Sequence, residues 1–427
     1  MTEFMQSIET DHRSTFLTSS RTAARDVVLV GFAEALAAPE VVWSLVDDGF
    51  QVVAFARQGR ASALRHSRHV VCHEICPPEL NLEKSLSDLR ALMTSLAEPS
   101  NGDARRILFP LDDKAVWLCN GLQLEQPWLL AGPQDGAAEL ALNKHLQFQA
   151  AREAGFDVPT AALANTAEEI FRFSDIESFP VILKSAKPVP TRDGRVVECP
   201  KWICANRAEL ESAVQQWKER VPLLVQKFVT GVGEGVFGLA TAEGIRAWSG
   251  HRRLRMMNPQ GSGSSACVSE AVSEDLKAKT RRLIENAGWH GLFMIELLRD
   301  REGKVWFVEL NGRPWGSMAL ARRQGLEYPA WQVRLTLDPQ SDAGATSNSS
   351  PGLVCRHVGR EFMHVLFVIK GSKSKALTGW PSLWRTMPEI LAVHRRDSFY
   401  NWRRDDLGVF AADCYYTVHD NVFKARH

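Results

Sequence analysis

Gly291-Leu-Phe-Met-Ile-Glu296-Leu-Leu-Arg-Asp300-Arg-Glu-Gly303-Lys304-Val-Trp-Phe-Val-Glu309-Leu-Asn311-Gly-Arg313 is the stretch that decides how the chain is built. Two apolar runs, each holding one carboxylate, flank a turn-forming segment in which Gly303 is free to take positive φ. A hairpin centred on Glu302 and Gly303 sets Glu296 opposite Glu309. Side chains so placed have Cβ atoms about 4.5–5.5 Å apart, and two carboxylates at that separation repel. A cation between them removes the repulsion. Asn311 follows Glu309 by two residues and shares its face. Two carboxylates and an amide oxygen suit a hard ion such as Mg2+, with Mn2+ as the alternative, whose shell is completed by water and phosphate. A solvated edge hairpin would not account for the apolar residues around both acids.

Towards the N-terminus, Asp26-Val-Val-Leu-Val-Gly-Phe is an apolar burst, Pro39 to Asp48 has helical spacing, and Gln51-Val-Val-Ala-Phe-Ala is a second burst. That is a βαβ unit with a parallel sheet. Arg106-Ile-Leu-Phe-Pro followed by Asp112 and Asp113 repeats the pattern, so residues 26–134 read as one small α/β domain behind a loose tail of residues 1–25. The turn Gly31-Phe-Ala-Glu-Ala-Leu lacks the second and third glycines of a dinucleotide fingerprint, which argues against nucleotide binding there and against a nicotinamide-dependent reductase.

The 427 residues, 45% hydrophobic and 24% charged, suffice for two or three packed domains. With 51 basic and 50 acidic residues there is no global field to hold nucleic acid or an acidic membrane, so phosphate binding must be local. No apolar run approaches the roughly 20 residues that span a bilayer, and no cleavable leader opens the chain. The eight cysteines are scattered without zinc spacing and read as reduced thiols. A cytoplasmic protein is the expectation.

Four further signals lie between residues 135 and 337. A helix from Leu140 to Gly155 carries Lys144, and Pro180-Val-Ile-Leu-Lys184 ends an apolar strand on a lysine, a point charge suited to phosphate. Leu223-Leu-Val-Gln226-Lys227-Phe228-Val229-Thr-Gly-Val-Gly-Glu234-Gly is a strand breaking into glycines, able to offer backbone groups to a purine and Glu234 to a ribose hydroxyl. His251-Arg252-Arg253-Leu-Arg255 is a basic cluster preceding a Gly/Ser loop, Asn258 to Ser265, that reads as a lid. Strand-like runs at 179–184, 221–229, 235–240, 291–298 and 304–310 alternate with helical ones at 166–173, 207–219 and 273–287. Residues 338–352 read as a linker or loop, and 353–427, rich in Trp and Arg, must pack on something.

Lysine on a helix, lysine at a strand end, glycine-ended strand, basic loop, then Glu296 and Glu309-Leu-Asn311, in this order, resemble the ATP-grasp superfamily over residues 26–335. Glu309-Leu-Asn-Gly-Arg-Pro-Trp-Gly-Ser is similar to the motif of its carboxylate-amine ligases, and Cys355-Arg-His-Val-Gly-Arg-Glu-Phe resembles their C-terminal extension. Gln226 stands where many members have Glu, and Pro follows Arg313 rather than the asparagine. The resemblance implies a mixed α/β and α+β fold. Its parts are a Rossmann-like pre-ATP-grasp domain (26–134), a two-lobed ATP-grasp domain with antiparallel sheets (135–337, small lobe about 165–230) and a C-terminal extension (353–427). It implies that Lys144 and Lys184 contact the phosphates of ATP, Gln226, Lys227, Phe228 and Val229 form the adenine hinge, and Glu234 holds the ribose. Glu296, Glu309 and Asn311 would bind the metal, and Arg313 would stabilise the transferring phosphoryl group. One of Arg252, Arg253 and Arg255 would hold the substrate carboxylate; Arg252 and Arg255 stand with Arg313 as the expected catalytic side chains. The implied activity is ADP-forming coupling of a small carboxylate to an amine nucleophile, an amino acid or small metabolite, with a homodimer as the expected assembly. The alternative is a non-catalytic ATP-binding regulatory or partner-holding module of the same fold.

Overall fold

The computed structural model describes residues 26–97, 104–176, 179–198, 200–217, 221–261, 263–345, 350–372, 379–394 and 397–423. The expected tail, residues 1–25, lies outside them, as do residues 346–349 of the expected linker.

The first sheet is parallel throughout, in the order β3-β2-β1-β4-β5. In chain order its elements are β1 (Val27–Gly31), α1 (Ala38–Asp47), β2 (Gln51–Arg57), β3 (Val71–Ile75), α2 (Leu82–Ala97), β4 (Arg106–Pro110), α3 (Asp113–Asn120) and β5 (Trp128–Leu130). All five residues of β1 are buried, as a central strand covered on both faces requires. Asp112 caps α3 by accepting from the Ala115 N–H, so the β4–α3 turn is held at the carboxyl edge of the sheet.

The run expected as one helix from 140 to 155 is two, α4 (Asp135–Ala141) and α5 (Lys144–Glu153). Asn143 lies between them and caps α5 by accepting from the His145 and Leu146 N–H groups. Asparagine competes with the helix for its own backbone, which is why the apolar pattern alone misses the break. Beyond these comes an antiparallel sheet in the order β10-β7-β11-β6. It is built from β6 (Ala161–Ala164), α6 (Ala167–Ile176), β7 (Val181–Ser185), a small hairpin of β8 (Thr191–Arg192) and β9 (Arg195–Val196), β10 (Trp202–Cys204), α7 (Arg207–Trp217) and β11 (Leu223–Lys227). Its apolar residues form a core of their own around Ile170, Leu183, Leu210 and Trp217.

The third sheet has seven strands in the order β16-β15-β12-β13-β14-β17-β18. They are β12 (Val232–Thr241), β13 (Gly244–Met256), β14 (Ser264–Glu270), β15 (Gly291–Arg299), β16 (Val305–Asn311), β17 (Val354–Arg356) and β18 (Ser398–Phe399). Helices α8 (Glu274–Asn286), α9 (Met318–Arg322), α10 (Tyr328–Leu337), α11 (Val358–Lys370), α12 (Leu383–Leu391) and α13 (Leu407–Val422) accompany them. The basic cluster at 251–255 lies in a 13-residue strand that ends at Met256, directly before the loop expected as a lid, and residues beyond 353 extend this sheet.

In the deciding hairpin Glu296 does face Glu309, by two offsets that cancel. The turn closes with Arg299 opposite Val305, one residue short of the expected centre, and a bulge at Val308 restores the alignment. Gly303, at φ 87°, takes the turn position as expected. No helix among the described residues is long and apolar enough to cross a membrane.

The first and third sheets share one core. Val28, Val30 and Ala54 pack in the same cluster as Phe237, Leu239, Leu292 and Met294, with Trp315 at the junction. Trp315 is fully buried, stacked on Phe237 at 4.4 Å between centroids and edge-on to Tyr328 at 5.2 Å. Removing a ring of this kind costs about 3–5 kcal/mol. Trp315→Ala should therefore lower the urea midpoint of both sheets together, followed by circular dichroism. A loss under about 1 kcal/mol would show that the two sheets are not joined through this ring.

Candidate active site

A cleft of about 1150 Å3 lies between the four-stranded and seven-stranded sheets. Ile182, Lys184, Ile203 and Gln226 line it from one side, and His251, Arg253, Glu296, Trp306, Glu309 and Asn311 from the other. The bulge at Val308 lets both Val308 and Glu309 reach the cleft, where strict alternation would turn one of them away.

The repulsion between Glu296 and Glu309 is relieved by two protein cations. Lys144 Nζ donates to Glu309 Oε2 at 2.7 Å, and Arg253 Nη2 lies 2.7 Å from Glu296 Oε1. Lys144 arrives through the start of α5. Gln147, one turn on, donates its amide to the Leu310 carbonyl at 2.9 Å and accepts from the Leu310 N–H at 3.0 Å, which clamps the helix to β16 beside Glu309. Arg253 arrives across β12, where any side chain at Gly233 would collide with its stem. Asn311 Nδ2 donates to Glu309 Oε1 at 3.2 Å.

These contacts set the charge states. The Lys144 ammonium holds the Glu309 carboxyl far below the usual carboxylate range, against the opposing effect of burial. Burial, seconded by the nearby Lys144 charge, brings Lys184 down to about 7. Burial and then Arg253 bring His251 to about 3, so it is neutral. Its Nδ1 meets Ser317 Oγ at 2.8 Å, and its buried Nε2 has no hydrogen-bond partner. Arg313 donates from Nε to Asp113 Oδ1 at 2.9 Å, which ties the site to the first turn of α3.

Glu296, Glu309 and Asn311 are hard oxygen donors on one face, and no group of three or more His, Cys, Asp or Glu able to hold a metal occurs among the described residues. A divalent ion here would have two carboxylates and one amide, leaving the rest of its shell to water and phosphate. This donor set fits Mg2+.

Gln226, Phe228 and Val229 line the cleft, and the buried Gln226 Oε1 has no partner. The N–H groups of Lys227 and Phe228 go to the carbonyls of Thr160 and Pro180. The Val229 N–H has no backbone partner among the described residues. The exposed Lys227 side chain is not part of the lining. The loop expected as a lid lines the cleft through Pro259, Gln260 and Gly261, and its Ser262 lies outside the described residues.

Three expected site residues are elsewhere. Glu234 is the cross-strand neighbour of Leu297 and not of Glu296, so it sits on the other face of β12, gripped by Arg299 at 2.6 and 2.9 Å. It does not line the cleft and is not placed to hold a ribose there. Arg252 pairs with Glu270 at 2.6 Å, and Arg255 makes two bonds to Glu361 at 2.8 and 2.9 Å. Of the three cluster arginines, Arg253 is the one in the cleft. Alternation along β13 separates it from Arg252, and a register shift between Arg253 and Arg255 turns the latter towards α11.

No model of a known family and no curated protein matches the sequence. Solved structures do match. N5-carboxyaminoimidazole ribonucleotide synthetase in its ADP complex superposes with a TM-score of 0.57 at 14% identity, over 78% of this chain and 80% of that one. The L-amino acid ligase of Bacillus licheniformis gives 0.55 at 15% identity, over 78% and 79%. The biotin carboxylase domain of the Hydrogenobacter thermophilus 2-oxoglutarate carboxylase, in complex with MgADP and bicarbonate, gives 0.55 at 17% identity, over 73% and 70%. The likeness establishes the fold, and the chain has the ATP-grasp fold.

Lys184 gives this cleft a pH signature. With a pKa of about 7 in the free protein it is mostly neutral at pH 8, and an adjacent triphosphate favours its charged form. ATP binding at pH 8 should therefore take up a proton, and affinity should fall by up to about tenfold per pH unit above 7. Calorimetry in two buffers of different ionisation heat measures the uptake, and Lys184→Met should abolish it. Identical heats in both buffers for the unaltered protein would rule out phosphate contact at Lys184.

Proposed function

We propose that this ATP-grasp chain is an ADP-forming ligase that activates a small-molecule carboxylate as an acyl phosphate and joins it to an amine, in the cytoplasm. The observation that carries the reading is the opposed pair Glu296 and Glu309, with Asn311 beside them and Lys144, Arg253 and Lys184 around them in one cleft. Such an array suits a polyphosphate with a divalent ion and little else.

In this reading the triphosphate lies along Lys144 and Lys184, with its base against the Gln226–Val229 hinge. Glu296, Glu309 and Asn311 hold Mg2+, which when bound neutralises charge on the phosphate oxygens. The substrate carboxylate oxygen attacks the γ-phosphorus. The bond from that phosphorus to the bridging oxygen breaks, and ADP leaves with the electron pair. Arg253 and Arg313 stand where charge grows on the equatorial oxygens, and preorganised donors there are worth most in the transition state. The amine nitrogen then attacks the acyl carbon and gives up a proton, and inorganic phosphate departs. His251, neutral and buried beside Arg253, keeps that wall of the cleft from adding further charge.

Two outcomes are expected. Glu309→Gln should abolish ADP formation while nucleotide binding weakens only modestly, because one negative ligand is lost and the fold is kept. Measured as ADP release across pooled carboxylates and amines, undiminished turnover by this variant would overturn the reading. ATP binding with no substrate-dependent turnover of the unaltered protein would point instead to a regulatory module. Arg313→Lys keeps the charge but loses the planar fork, and should cost on the order of 10² to 10³ in kcat with the ATP KM little changed. A raised KM at constant kcat would make Arg313 a ground-state binding residue.

A further inference from the structure

The even balance of charge over the whole chain conceals a local excess. Between residues 370 and 396 the sequence has six cations, Lys370, Lys373, Lys375, Arg385, Arg395 and Arg396, against the single acid Glu389, whereas the full chain carries +1. The same stretch holds Trp380, Leu383, Trp384, Leu391 and Val393. Lys373, Lys375, Arg395 and Arg396 lie outside the described residues, and no part of the surface rests on them.

Helix α12 is apolar on more than its inner face. Thr386, Met387 and Ile390 turn inwards, and Arg356 donates to the carbonyls of Ile390 and Ala392, which fixes the end of the helix against β17. Trp384, Pro388 and Leu391 follow at i, i+4 and i+7 and form a second stripe on the outside. Trp384 is 90% exposed, Leu391 71% and Val393, just past the helix, 58%. An apolar stripe of this kind is ordinarily covered. Ile369, 64% exposed, and Lys370 end the neighbouring α11, where the Val368 carbonyl accepts from the Trp380 indole N–H.

The charges around the stripe decide what covers it. Arg385 and Lys370 are exposed and have no ion pair among the described residues, while the one acid, Glu389, faces Arg255 at 3.6 Å. A second copy of the chain docked through a two-fold contact would set these cations against their own equivalents. An acidic membrane surface offers apolar material to the stripe and phosphate to the cations. The stems of Arg385 and Lys370 can lie along apolar surface with their heads among lipid phosphates. A tryptophan suits the same boundary, its ring in the apolar layer and its N–H in the wet one. Pro388 supplies no N–H to the Trp384 carbonyl, so that oxygen needs water, which the headgroup layer provides and the hydrocarbon core does not. The 9 residues of α12 lie along such a layer and are far too few to cross it.

We infer that α12 is a membrane-docking helix, which lays Trp384, Pro388 and Leu391 into the headgroup layer of an anionic phospholipid membrane with Arg385 and Lys370 on the lipid phosphates. None of the α12 residues lines the cleft, so the two surfaces respond to different substitutions, and the docking role does not depend on the ligase reading.

The test is flotation of the full chain with lipid vesicles. Vesicles of equal parts phosphatidylglycerol and phosphatidylcholine should bind it about tenfold more tightly, or better, than phosphatidylcholine alone. Raising the salt from about 0.1 M to about 1 M should release it, because the Debye length falls from about 10 Å to about 3 Å. Trp384→Ser should weaken binding by about tenfold, the effect of losing one large buried side chain. Arg385→Glu should cost a similar factor through two units of charge. Leu80→Ser, at an exposed leucine ahead of α2, should change nothing. An unaltered circular dichroism spectrum and thermal midpoint show that each variant is folded. Binding to neither vesicle, equal binding to both, or full binding by Trp384→Ser would each overturn the inference. A concentration-dependent dimer abolished by Trp384→Ser, without vesicle binding, would overturn it in favour of a second copy, and capture by polyglutamate but not by vesicles would do so in favour of an acidic protein.

Discussion

Two carboxylates on adjacent strands of an otherwise apolar sheet repel, and much of the architecture around the cleft answers that repulsion. At about 4 Å the interaction of two unit charges is near 1 kcal/mol in water and about 4 kcal/mol at the effective dielectric of a protein surface. Leaving either acid uncompensated in the cleft would add a desolvation cost of several kcal/mol. Lys144 and Arg253 meet this from opposite sides, one from a helix clamped to the edge strand through Gln147, the other through the lane left by Gly233. The compensation that lets the sheet fold also brings cations to the place where a polyphosphate would need them.

The same economy separates the residues that are legible in the chain from those that are not. Glu296 and Glu309 stand out because an apolar strand seldom holds a carboxylate unless a cation meets it, and the turn chemistry between them is strong. Even so, their alignment depends on a bulge at Val308 that no residue pattern announces. Choosing among the cluster arginines fails for a different reason. Strand β13 pairs charge on both faces, with Glu296 on one and with Glu270 and Glu361 on the other, so His-Arg-Arg-Leu-Arg shows no polar alternation that would single out Arg253. Glu234 misleads in the opposite sense: its glycine-rich setting suggests a nucleotide turn, whereas its partner is Arg299 across the sheet. Arg57 cannot be found at all by local reading, since its partners Glu34, Glu79 and Asp112 come from segments far apart in sequence.

Packing divides the molecule differently from the order of its segments. The parallel sheet and the seven-stranded sheet share a core, whereas most of the four-stranded sheet packs in a core of its own, with Leu224 reaching into the cluster around Phe293 and Phe307. Lys184 rides on the separately cored lobe, and Glu296 and Glu309 belong to the shared unit. The distance between Lys184 and the two acids is therefore set by how that lobe sits.

Helix α13 folds back onto the earliest part of the chain. Just before it, Asp406 accepts from Trp43 Nε1 at 3.0 Å and from Ser67 Oγ at 2.5 Å, and Asn401 donates to the buried Glu40 at 3.1 Å. During synthesis at about 5–20 residues per second, the first sheet emerges some tens of seconds before the helix that covers it. For that interval Arg57, which meets Glu34, Glu79 and Asp112, lines an open trough on the edge of the first sheet. The ribosome thus releases a protein whose parallel sheet can already be folded but whose cavity beside Arg57 is covered last, by the helix that carries Asp413 and Tyr416.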